Sequence, residues 1–122
     1  MKEAKLTIIP MPKDTNSAGN VFGGWIMSQI DLAGAVAARE ICNNRVVTIA
    51  VDQMVFKKPV FVGDVVSFYA TVVNVGRTSV KVDVNVVANR LVKGVKETIE
   101  VTHATLTYVN VDENGNKKEI SK

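Results

Sequence analysis

The chain has a single cysteine and a single histidine among its 122 residues, and only three prolines. One thiol, Cys42, excludes an internal disulfide and suits a reducing compartment. One Cys and one His cannot make a zinc site with the usual ligand count, so zinc is not expected. The chemistry open to Asn16, Gly23 and Asp31 needs no metal or other cofactor, and none is expected. No Gly-x-Ser-x-Gly elbow is present, which removes the common architecture for a serine hydrolase. No apolar run approaches the roughly 18–20 residues that span a bilayer. The opening MKEAKLTIIPMPKD has too short an apolar stretch for a secretion signal, and Pro10 and Pro12 interrupt it. These absences predict a cytoplasmic protein with no membrane span. Aromatics are 6% of the chain, and the net charge of +3 comes from dispersed Lys and Arg. The basic stripe and stacking aromatics of a nucleic-acid binder are missing.

What is present reads as one globular domain over residues 1–122, with 47% hydrophobic and 22% charged residues. A short strand is expected over 6–9, followed by a turn-rich loop over 10–20. From Gly23 to Ile41 the pattern is helical, because Ile26, Ile30, Ala33, Ala37 and Ile41 recur at three- and four-residue spacing. Leu32 and Val36 fall elsewhere on the circumference, so the helix is apolar nearly all round and must be covered on more than one side. Downstream the period changes to two. Strands are predicted over 47–58, 65–76, 79–89 and 98–111, with NRLVKGVKE as a loop, a slip of alternation near His103 and a frayed polar tail. One long helix with four or five strands on short connections implies an α+β fold, an antiparallel sheet carrying one helix. A sheet covers only one side of such a helix, so a second copy of the chain is expected on the other.

Three features inside that frame carry chemical potential. Asp31 lies mid-helix beside Met27, Gly34, Ala35 and Ala38, with no Lys or Arg within one turn. It is either a helix-edge acid paired from elsewhere in the fold or a carboxylate in a poorly solvated pocket, suited to base or nucleophile work. Gly23-Gly24 opens the helix where backbone N–H groups have no internal acceptors, a place to receive an oxyanion or simply to pack a loop tightly. Asn16 is either a turn former or an amide that orients a water or a carbonyl.

In order, Asp-Thr-Asn (14–16), Phe-Gly-Gly-Trp (22–25), Asp31 on the helix, Pro-Val-Phe-Val-Gly-Asp (59–64) and Gly-Arg-Thr-Ser (76–79) resemble the signature of the hotdog-fold acyl-CoA thioesterases, in the bacterial YciA-like branch. The resemblance covers about residues 6–111. It implies a long helix wrapped by a curved antiparallel sheet, dimers as the working unit and trimers of dimers. The activity it implies is hydrolysis of acyl-CoA to free CoA and a carboxylic acid. By position, the acid falls on Asp31, its amide partner on Asn16 and the oxyanion donors on Gly23 and Gly24. The turn Gly76-Arg77-Thr78-Ser79 would meet the pantetheine and phosphate parts of CoA, and Lys57, Lys58, Arg90 and Lys93 are further phosphate candidates by charge. Gly23 and Asp31 are eight residues apart, about 12 Å along one axis. A reacting carbonyl must sit about 3 Å from both donor and base. Two antiparallel helices in a symmetric dimer satisfy that; one helix does not. The alternatives are a non-catalytic acyl-CoA sensor and a hotdog hydroxyacyl dehydratase, which would need His103 to work with an acid.

Overall fold

A computed structural model describes residues 3–120 of the chain. One helix, α1 (Gly23–Ile41), packs on a single antiparallel sheet of five strands: β1 (Leu6–Ile8), β2 (Arg45–Phe56), β3 (Val65–Val75), β4 (Ser79–Val92) and β5 (Val95–Val111). Their order across the sheet is β1-β3-β4-β5-β2, so β2 is an edge strand although it directly follows the helix.

The alternation of β4 decides the core. Val80, Val82, Val84, Val86 and Ala88 face the helix and are buried, joined by Phe68 and Val66 of β3 and by Ala104, Leu106 and Tyr108 of β5. Onto this face α1 lays Ile26, Ile30, Ala33, Ala37 and Ala38. The small residues in that stripe bring the helix backbone close to the sheet. The predicted change of face in β5 occurs at Val101. Val86 pairs with Thr102 but Val87 with Glu100, and the skipped Val101 turns into the core. The extra residue moves the buried set from odd to even positions just before His103. In β2 a second irregularity, between Asp52 and Val55, puts Gln53 at φ 53°.

Two expectations are corrected. NRLVKGVKE is not a loop: β4 runs to Val92 and β5 starts at Val95, and only Lys93 (φ 50°) and Gly94 (φ 79°) make the turn. Two successive left-handed residues give the tight hairpin that matches strand twist, so Leu91 and Val95 remain in strands despite the surrounding charges. The tail is not frayed over its described residues. Asp112 Oδ1 accepts the N–H groups of Asn114 and Asn116, Lys118 N–H donates to Asn110 O, and Ile120 N–H donates to Arg77 O. Ile120 is buried in the core, one apolar anchor that holds an otherwise polar segment.

The helix has its other side uncovered in the protomer. Met27, Leu32 and Val36 are exposed on α1, and Val47, Ile49 and Val51 are exposed on β2 beside it. Among the described residues no helix is long and apolar enough to cross a membrane.

Candidate active site

The loop before α1 is built around Asn16. Its Oδ1 accepts the N–H groups of Ala18 (2.9 Å) and Asn20 (3.1 Å), and its own N–H donates to Asn20 O. The turn-forming role is therefore real, but it uses only the side-chain oxygen. The Nδ2 amide has no acceptor among the described residues. Phe22 N–H donates to Asp14 O and Val21 N–H to Val60 O, which anchors the loop against the segment after β2. Between them lies a cleft of about 300 Å³ lined by Asn16, Gly23, Ile26, Phe56, Lys57 and Lys58, among others. The N–H groups of Gly23 and Gly24 have no acceptor among the described residues, and Phe22 provides no side-chain cap. A Cβ at Gly23 would touch the Phe56 ring at an ordinary 3.6 Å, and one at Gly24 would meet nothing. Packing within the protomer does not demand either glycine.

Asp31 sits two turns further along α1, half-buried and outside this cleft. Thr48 Oγ1 of β2 donates to Asp31 Oδ1 at 2.6 Å. The Tyr108 hydroxyl of β5 donates to Asp31 main-chain O at 2.7 Å and stands 3.2 Å from Oδ1. Burial first, then the Asp31 charge and the hydrogen bond to it, push the Tyr108 phenol far above its usual range, so it remains a neutral donor. Oδ2 has no donor among the described residues, and no Lys or Arg there pairs with the carboxylate. Thr48 and Tyr108 were not singled out from the sequence. They are cross-strand partners, and alternation along each strand does not reveal which residue of another strand lies opposite. The only sequence signal was a tyrosine inside an otherwise apolar face, whose hydroxyl needs a partner when buried.

The other candidates divide between the two ends of the sheet. Lys57 and Lys58 stand with Asn16 and Gly23 at the start of α1. Gly76-Arg77-Thr78-Ser79 is at the opposite end, on the Asp31 side: Val80 pairs with Tyr108 and Ser79 with Val109. Gly76 N–H donates to Ser79 O, and Asn110 N–H to Thr78 O. The Arg77 side chain is 83% exposed and meets Glu119 at 3.3 Å, a solvated contact that an anion can displace. Arg90 belongs to neither group. Its Nε and Nη2 donate to Asp64 at 3.0 and 2.7 Å, and its guanidinium lies over the Phe61 ring. That pair, a buried Asp64 with a half-buried Arg90, fastens the Pro59–Asp64 turn to β4, so the Arg90 charge already has a partner. Lys93 is at the tip of the β4–β5 hairpin. His103 faces Asp83 at 3.9 Å, in register with Asn85 on the face away from α1, and so has no access to Asp31. Among the described residues no cluster of three or more His, Cys, Asp or Glu could hold a metal.

The chain is similar to known proteins along most of its length. Residues 18–94 match the thioesterase superfamily. An uncharacterized acyl-CoA thioester hydrolase of Haemophilus influenzae is 47% identical over 118 residues, 96% of this chain and 77% of that one. The acyl-CoA thioester hydrolase YciA of Escherichia coli is 42% identical over 116 residues, 94% of this chain and 88% of that one. Among solved structures, a hexameric hotdog-fold thioesterase of Campylobacter jejuni superimposes with a TM-score of 0.95 at 58% identity, covering 98% of this chain and 91% of that one.

Proposed function

This chain belongs to the thioesterase superfamily, in its branch of acyl-CoA thioester hydrolases, and we propose that it hydrolyses acyl-CoA to free CoA and a carboxylic acid at a site shared between two subunits. The observation that carries the proposal is the state of Asp31. It is a half-buried carboxylate with no cationic partner among the described residues, one oxygen held by Thr48 and the other without a donor there. Such a group can attack a thioester carbon or take a proton from water that attacks it. The carbonyl oxygen then gains charge, and the Gly23 and Gly24 N–H groups, which have no acceptor among the described residues, are donors at the positive end of the helix. The Asn16 amide stands at the same cleft, free to orient the carbonyl or the water. The tetrahedral species collapses by expelling the CoA thiolate, a good leaving group that needs no metal. If Asp31 made the attack, water then hydrolyses the anhydride and frees the carboxylate. In either route the proton lost by water goes to the thiolate or to solvent.

Within one protomer Asp31 and the glycine N–H groups are about 12 Å apart along α1, too far to share one carbonyl. A two-fold partner supplies the missing half. The exposed apolar residues of α1 and the unpaired edge of β2 suit a second copy, which would set the helices antiparallel and bring the start of one to Asp31 of the other. The hexamer described for the Campylobacter jejuni relative is compatible with three such dimers. The buried free thiol of Cys42 fits a cytoplasmic enzyme.

A thiol-release assay across acyl-CoA chain lengths, run on EDTA-treated protein, tests the activity. Steady turnover without added metal is expected. Binding of acyl-CoA without turnover would identify a sensor, and activity that needed zinc would remove the mechanism. The Arg77 assignment makes a separate prediction. Arg77→Ala is expected to raise KM for acyl-CoA by about tenfold, the effect of losing charge-assisted hydrogen bonds to phosphate. KM for an acyl-pantetheine lacking the nucleotide should change less than about twofold. Equal effects on both substrates would rule out a phosphate contact.

A further inference from the structure

We propose that Tyr108 is the positioning residue for Asp31, and that Gly34 is glycine to admit its hydroxyl to the helix. The proposal rests on the reading of Asp31 as the reacting carboxylate. Tyr108 is fully buried at the end of the Ala104, Leu106, Tyr108 face. Its ring belongs to the core, yet its hydroxyl crosses to α1 and reaches the main-chain oxygen and Oδ1 of one residue. One phenolic proton shared between these oxygens ties the carboxylate to its own backbone. Thr48, directly across from Tyr108 in the sheet, donates to the same Oδ1. Two hydroxyls on one oxygen leave little rotational freedom and keep Oδ2 as the reacting atom.

Gly34 is one turn beyond Asp31. A Cβ there would lie 2.9 Å from Tyr108 Cζ and 3.0 Å from Cε1, inside contact distance, and would overlap the hydroxyl. The obstruction is a ring packed in the core, so it cannot swing aside as a flexible side chain would. The absence of a side chain at position 34 and the hydroxyl at position 108 are two halves of one contact.

Tyr108 is the titratable group that touches Asp31 among the described residues. Lys81, Asp83 and His103, with Asp52 opposite Thr105, stand on the far face of the sheet. Arg39 and Glu40 are two turns down α1, with Glu40 held by Lys5. Cys42 is buried beyond them, and Arg45 is bound to Glu113 O.

The test is the pH profile of kcat in Tyr108→Phe and Gly34→Ala, with KM, oligomeric state and thermal midpoint measured alongside. A hydrogen bond to a carboxylate favours its charged form, so removing it should move the acid limb of kcat upward by about 0.5–1 pH unit. In Tyr108→Phe, which keeps the ring, KM is expected within about twofold of wild type and plateau kcat about tenfold lower. Gly34→Ala forces α1, and Asp31 with it, away from the same hydroxyl and should shift the limb in the same direction. Profiles that superimpose on wild type, with only the thermal midpoint lowered, would make Tyr108 a packing residue and overturn the proposal. Should Tyr108→Phe fail to assemble, Gly34→Ala decides alone by the same criterion. Asp31→Asn separates the two readings: a dead Asp31→Asn with an unmoved Tyr108→Phe profile ends only this proposal, whereas an active Asp31→Asn ends the role of Asp31 itself.

Discussion

Asp31→Asn is expected to lower kcat by about 10²–10⁴-fold, the contribution of a positioned acid–base group, and by more if the carboxylate is the nucleophile. The exchange is nearly isosteric. The amide oxygen can still accept from Thr48 Oγ1, and the change takes a charge away from a half-buried site with no cationic partner among the described residues. Thermal midpoint and oligomeric state should therefore remain close to wild type, since removing an unpaired charge carries no penalty of its own. KM should change little, because the carboxylate contributes to the transition state and not to holding CoA. Full retention of kcat would make Asp31 a structural anchor for Thr48 and Tyr108. The measurement is steady-state thiol release, with circular dichroism and size-exclusion chromatography as controls.

The second large effect is a recovery. Asn16→Asp keeps the oxygen that accepts Ala18 and Asn20 N–H, and so keeps the loop, but it removes the Nδ2 donor. Its homodimer and that of Asp31→Ala are each expected to be nearly inactive, since every site lacks one part. If the two are unfolded, mixed equally and refolded, about half of the dimers contain one of each. In such a dimer a shared site collects both defects at one centre and neither at the other. Recovery of roughly a quarter of wild-type activity is expected from that symmetry. If Asn16 and Asp31 served the same protomer, no centre in the mixture would be intact and nothing would return. The separation within one chain, with Asp31 outside the cleft that holds Asn16 and Gly23, favours recovery.

The sequence alone determined what depends on neighbours in the chain. The three- and four-residue spacing of Ile26, Ile30, Ala33 and Ala37 placed α1 correctly from Gly23 to Ile41, and the alternating valines of 80–86 placed the core face of β4. The order of short motifs carried the family, because each motif is a local turn or helix start. The two errors were also local. Charges around Lys93-Gly94 concealed strands that needed only a two-residue turn, and a polar tail concealed Ile120. Tertiary structure decided everything that depends on register. Thr48 and Tyr108 are 60 positions apart and meet because β2 pairs with β5 at that offset, and one residue of slip would turn both hydroxyls away from Asp31. Arg90, a phosphate candidate by charge, is taken by Asp64 from another strand's approach. The sheet also put Asn16, Gly23 and Lys57 at one end of α1 and Arg77 at the end nearer Asp31. Side-chain periodicity reports which face a residue shares with its own segment. Which residues of distant segments share that face is set by long-range pairing, and that is where the candidate site was built.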